Sequence, residues 1–171
     1  MSNYSHKLVN WFNEDISTES DHIQKFKKLH DFMRFYESHF RILHWNSAGE
    51  EFNDNHVNIT EKYYEMISKH IDEIAEIMGI FNIFPDGYVE VCSVVNFDNT
   101  GIHIDTNKYY TRAESIEVID KIFGHLIELF VDVLKEGIIE DPKYAGVKST
   151  LEDILYQYTF QKDYINKRRT M

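Results

Sequence analysis

The chain of 171 residues contains one cysteine, two prolines and seven glycines. A lone thiol, Cys92, forms no intrachain disulfide, and it excludes cysteine-built zinc and iron–sulfur centres. It favours a reducing, cytoplasmic setting. No stretch reaches the roughly 18 apolar residues that a membrane span requires. The opening "MSNYSHKLVNWFNEDIS" has no long apolar run behind a basic end, so it does not read as a secretory signal. Positive charge is also scarce: 18 Lys and Arg stand against 29 Asp and Glu, a net charge of −11. That balance argues against a surface-wide nucleic-acid footprint. It suits a protein that concentrates cations, or simply one that charge keeps in solution.

What is present is helical periodicity. Pro85 and Pro142 fall between long periodic segments and leave them uninterrupted. Four segments carry apolar residues at three- and four-residue spacing. The first runs over about 21–46 with the stripe Phe26, Leu29, Met33, Tyr36, Phe40, Leu43, behind the hydroxyls of "STES". "NSAGEEFNDN" breaks it. The second runs over about 55–80 with Ile59, Tyr63, Ile67, His70, Ile74, Ile77, and Asp54 or Asn53 as cap. The third starts at a capping box, Thr111 with Glu114, and ends near Gly137. The fourth opens with Asp141 as cap and Pro142 in its first turn. Between the second and third lies a long connection whose "YVEVCSVV" is β-like in composition; a buried loop or short helix is expected there, with a short edge hairpin as the alternative. Two short joints and one long crossover predict an all-α, ferritin-like four-helix bundle in a single domain over 1–171. A short N-terminal arm covers about 1–18, and a basic end covers about 162–171.

Candidate ligands cluster around the first break and on the second helix. "LHWNSAGEEFNDNH" holds His44 and His56, with Trp45 beside the first. Asp72 and Glu76 stand four residues apart, so their carboxylates lie one above the other on one helix face. Imidazole with carboxylate suits iron, zinc or manganese. Counting about 100° per residue from Tyr63, Asp72 falls near 180° and Glu76 near 220°, away from the subunit's own core. Two outer acids alone read as a solvated pair; a site there needs partners from another molecule.

These residues together resemble the signature of the Dps proteins (DNA protection during starvation), the dodecameric mini-ferritins. The resemblance rests on His44, Trp45, Asn46, Gly49, Phe52, His56, Asp72, Ile74, Ala75 and Glu76, and on "YYTRAES" before the third helix. With the helix order, it extends over nearly the whole chain. It implies an iron store that oxidises Fe(II) with peroxide or oxygen and protects against oxidative damage. His44 and His56 would supply nitrogen ligands, and Asp72 and Glu76 of a two-fold partner would supply oxygens. Trp45 would lie beside the site. The resemblance also implies a homo-oligomer of twelve subunits, and DNA as a partner of the basic tail through Lys167, Arg168 and Arg169. The bare reading of that tail is a helix end complementing its dipole.

The chain departs from the family's pattern at one spacing. The family places the second His and the Asp fifteen residues apart; His56 and Asp72 are sixteen apart. On an unbroken α-helix His56 would fall near 20°, in the core stripe, by about 100° per residue. A π-bulge between Tyr63 and Asp72 would absorb the residue, as would a loosely wound first turn at His56. Otherwise the site is degenerate and the chain serves as a structural shell or a macromolecule-binding bundle. The Arg that commonly follows the Glu is Ile77 here. Two further pairs, His70 with Glu73 and His125 with Glu128, have the reverse order of an intrabundle di-iron motif. His30, Glu37 and His44 recur every seven residues and read as a polar flank.

Overall fold

The structure, a computed structural model, describes residues 21–87, 91, 102 and 104–169. The N-terminal arm, the "STES" cap and the β-like "YVEVCSVV", apart from Val91, lie outside the described residues. Four long helices carry the fold: α1 (Asp21–Trp45), α2 (Lys62–Ile80), α3 (Arg112–Leu134) and α4 (Ala145–Arg169). A π-helical segment, Asp54–Glu61, runs directly into α2. Two short 3-10 turns, Gly137–Glu140 and Pro142–Tyr144, join α3 to α4.

The predicted apolar stripes are the core. Phe26, Leu29, Met33, Tyr36, Phe40 and Leu43 of α1 are fully buried, as are Ile116, Ile119, Phe123, Leu126, Phe130 and Val133 of α3. Each such side chain contributes about 1.5–3 kcal/mol on leaving water. Contacts across the core set the helix directions. Lys25 pairs with Glu136, Tyr36 with His125, and Phe40 with Phe123, so α1 and α3 run antiparallel. Phe130 with Tyr158, and Asp120 with Lys162, make α3 and α4 antiparallel too. The short joint reverses α1 into α2, which therefore runs parallel to α3 and requires the long crossover between them.

The helix ends follow local chemistry. Thr111 and Glu114 form the expected capping box on α3. Lys108, 2.6 Å from Glu114, and the Thr111 backbone hold the Glu114 carboxyl down at about 2. Asp141 accepts from the Lys143 N–H and caps the turn opened by Pro142. The helix is regular from Ala145 onward. Asn82 takes the left-handed conformation (φ 56°) after α2, and the Ile83 N–H returns to the Met78 carbonyl, closing the helix end.

Several polar side chains are buried in the bundle. Inside the core, His70 Nδ1 lies 3.1 Å from the Tyr158 hydroxyl, and His125 Nδ1 lies 2.7 Å from that of Tyr36. Both imidazoles are thus partnered by tyrosines. Glu73 is paired outward with Lys69, and Glu128 is exposed. The two His–Glu pairs therefore do not converge inside the bundle. Nearer the start of α1, His30 and Asp31 are both buried, and neither Asp31 oxygen nor His30 Nδ1 has a close hydrogen-bond partner among the described residues. Burial pushes Asp31 up to about 7, with the negative charge of Asp86 adding to it. Burial, then the Arg34 charge, lowers His30 to about 4.

Candidate metal centre

The joint after α1 is pinned before it reaches the second histidine. Gly49 adopts φ +99°, a conformation that side-chain-bearing residues rarely take. Ser47 and Tyr110 form an isolated parallel bridge, with Ala48 N–H donating to Tyr110 O at 3.0 Å and Tyr110 N–H to Asn46 O at 2.8 Å. The buried Asn55 amide also donates to Tyr110 O, at 3.2 Å. The loop thus returns the chain beside the end of α1.

There the two histidines meet. Their rings stack with centroids 3.8 Å apart and planes 17° from parallel. Each ring is bound to the other residue's backbone: His44 Nδ1 lies 3.1 Å from His56 O, and His56 Nδ1 lies 2.9 Å from His44 O. A carbonyl oxygen only accepts, so each Nδ1 carries the hydrogen. In the neutral imidazole that leaves Nε2 of both rings with a free lone pair, the state a metal ligand requires. Phe52 extends the stack beyond His56 at 4.9 Å, and Tyr64 packs on His44 at 5.4 Å under the Arg41 guanidinium. Both histidines are half-buried.

The π segment accounts for this meeting. Sixteen α-helical residues before Asp72 would turn His56 into the core stripe. The i→i+5 winding over Asp54–Glu61 takes up the additional residue and swings His56 out to His44. The adjustment sits upstream of Tyr63, in the first turns, and α2 is regular between Tyr63 and Asp72. Neither Asn53 nor Asp54 caps this start. Asp54 instead accepts from Arg112 Nε at 2.8 Å, from Asn58 Nδ2 at 3.0 Å, and from the Arg168 guanidinium.

Asp72 and Glu76 are exposed on the outer face, as the helix angle predicts, and neither has a hydrogen-bond or ion-pair partner among the described residues. Asp72 lines an open cleft of about 580 Å³ with Arg34, Glu37, Arg41 and Ser68. Sixteen residues of helix place it roughly 20 Å from His56 along the axis, far beyond a metal bond of about 2 Å. No group of three or more potential ligands converges among the described residues of one chain. Ile77, where the family commonly has Arg, is buried in the core. His30 is buried and is not part of an exposed flank. Trp45 is 67 % exposed beside the pair, with Phe52 and Val57 also exposed. In the tail, Arg168 is bound to Asp54, and Arg169 lies 3.9 Å from Asp120. Thr60, which the spacing did not single out, is fully buried with its hydroxyl 3.1 Å from His56 O.

The sequence matches no protein-family model and none of the curated proteins. Solved structures do match it. Antigen TpF1 from Treponema pallidum superposes with a TM-score of 0.74 at 17% identity, covering 88% of this chain and 92% of its own. Dps from Staphylococcus aureus gives 0.72 at 14%, covering 91% and 99%. A DPS protein from Vibrio cholerae O1, described as a member of a broad superfamily of ferritin-like diiron-carboxylate proteins, gives 0.72 at 18%, covering 85% and 87%. The chain has the all-α, ferritin-like four-helix fold of the Dps proteins.

Proposed function

We propose that the chain is a Dps-like iron-storage protein that oxidises Fe(II) at a site shared between two subunits. The observation that carries this reading is the reciprocal His44–His56 pair, which leaves two Nε2 lone pairs on a half-buried stack. Two nitrogens hold a metal incompletely. The unpaired carboxylates of Asp72 and Glu76 are too distant in the same chain and suitably placed on its outer face. A two-fold axis crossing the π segment and α2 between His56 and Asp72 brings the acids of one subunit to the histidines of the other. The exposed Trp45, Phe52 and Val57 are then covered by the partner.

In this reading Fe(II) is substrate. Each ion gives up one electron. Hydrogen peroxide takes two electrons and two protons and leaves as two waters; oxygen is the alternative acceptor. The imidazole–carboxylate set also suits zinc or manganese. Ferric product is kept within a homo-oligomeric shell, of twelve subunits in the resembled family. The degenerate-site alternative loses ground because the π segment returns His56 to His44. DNA binding through Lys167, Arg168 and Arg169 is the lesser reading, since the Arg168 guanidinium is already engaged by Asp54.

Crystals soaked in Fe(II) under anaerobic conditions test the assignment. Anomalous density is expected between His44 and His56 of one subunit and Asp72 and Glu76 of its two-fold mate. A salt-bridged interface without metal density, or a protein that light scattering finds only as a monomer, would sink it.

A further inference from the structure

One hydroxyl links the π segment to the metal pair. Thr60 Oγ1 lies 3.0 Å from Asn55 O and 3.1 Å from His56 O, and its hydrogen serves these two neighbouring carbonyls. The five-residue step from Asn55 to Thr60 is the π repeat itself. Thr60 Oγ1 also stands 3.4 Å from His44 Nδ1, so the hydroxyl and the imidazole N–H share the His56 carbonyl. Thr60 is fully buried, so water does not replace it readily.

The His56 carbonyl has a competing partner. Within a helix it also accepts a backbone N–H from the following turn. In the structure it faces the His44 ring. The hydroxyl sits on the same carbonyl as the His44 N–H, and the base of the segment is fixed by Asp54 between Arg112 and Arg168. Arg112 also donates to the Arg168 carbonyl at 3.0 Å, which closes the cluster.

We propose that Thr60 is a positioning residue for the metal pair: its hydroxyl keeps the His56 carbonyl on His44 Nδ1–H, and so holds His44 in the tautomer whose Nε2 can bind metal. Its functional meaning rests on the reading of His44 and His56 as ligands. Its structural content does not, which allows the two to be tested separately.

The test uses the full chain labelled with 15N-histidine, metal-free, in solid-state NMR. Difference spectra against His44→Gln and His56→Gln assign the two rings. Wild type and Thr60→Ser are expected to show His44 as the Nδ1–H tautomer alone. Thr60→Val, which keeps the shape and removes the hydroxyl, is expected to show a mixture with Nε2–H; Thr60→Ala stands in if the valine variant does not fold. A folded variant without the hydroxyl that keeps pure Nδ1–H would overturn the proposal. Titration with Co(II) then reads the consequence. Thr60→Val is expected to bind about tenfold more weakly or worse, the usual effect of losing a group that orients a ligand, and Thr60→Ser within about twofold of wild type. A wild type that binds no Co(II) through the histidines would defeat the ligand reading, while a tautomer shift in Thr60→Val would still uphold the positioning role.

Discussion

His30 and Asp31 show how much one residue's surroundings decide. They are neighbours on α1, both buried, and burial moves them in opposite directions, Asp31 up to about 7 and His30 down to about 4. Both therefore favour neutrality. For Asp31 the folded state holds its proton more tightly than the unfolded chain, so its contribution is full below about pH 4 and is lost as pH rises through 7. For His30 the sign is reversed: its contribution is full above about 6.5 and is lost as pH falls toward 4. Asp31→Asn mimics the protonated acid and isolates the first effect. At pH 8 the variant should be more stable than wild type, by on the order of 4 kcal/mol; near pH 4 the two should nearly match. Urea unfolding at a series of pH values checks this, and a difference that does not change with pH would contradict it. None of this was visible in the spacing. His30, Glu37 and His44 lie seven residues apart, which fixes their common direction on one helix and says nothing about what covers each of them. His44 and His56 were legible as a pair because their spacing around a break is itself the signal; the carbonyls that fix their tautomers are backbone atoms, which carry no letter in a sequence.

At the scale of elements, the four helices were readable because apolar residues recur with the helical period, and the caps expected at Thr111 and Asp141 are in place. The additional residue between His56 and Asp72 was readable as arithmetic. Its place was not, since a π turn anywhere between the two satisfies the same count. The structure puts it over Asp54–Glu61, where Thr60 and the Asp54 cluster support it. Removing one residue there should return the segment to α-winding. Asn58 is exposed, and its amide bonds only Asp54 among the described residues. Deletion of Asn58 should give a folded protein that keeps the His44–His56 stack, because a threonine hydroxyl also reaches the carbonyl three residues back. Co(II) affinity should stay within about threefold of wild type. Inserting an alanine after Asn58 adds a second surplus residue and should weaken binding by about tenfold or more. A folded deletion variant that loses binding while the insertion keeps it would reverse the account.

For the whole molecule, the proposed function gives one chain half a site at each end of a helical face: two nitrogens with Trp45, Phe52 and Val57 exposed around them, and, roughly 20 Å along the helix, two acids without hydrogen-bond or ion-pair partners among the described residues. The fold was legible from helix order and the length of the crossover. The outward angle of Asp72 and Glu76 was legible from the spacing, and the structure has both exposed; the angle alone also fits a solvated pair, and the proposed sharing comes from the family resemblance. Subunit complementation tests that sharing directly. One subunit type carries His44→Gln with His56→Gln, and the other carries Asp72→Asn with Glu76→Gln; each is purified alone and also co-expressed with the other. Each alone should oxidise Fe(II) no faster than the protein-free control. In a mixed dimer, one of the two sites combines intact histidines with intact acids. Co-expressed protein should therefore recover a rate of about a quarter of wild type, from random pairing in which half the dimers are mixed and each holds one working site. Mixed dimers with no recovered Fe(II) oxidation, or either variant fully active alone, would contradict a site built from two subunits.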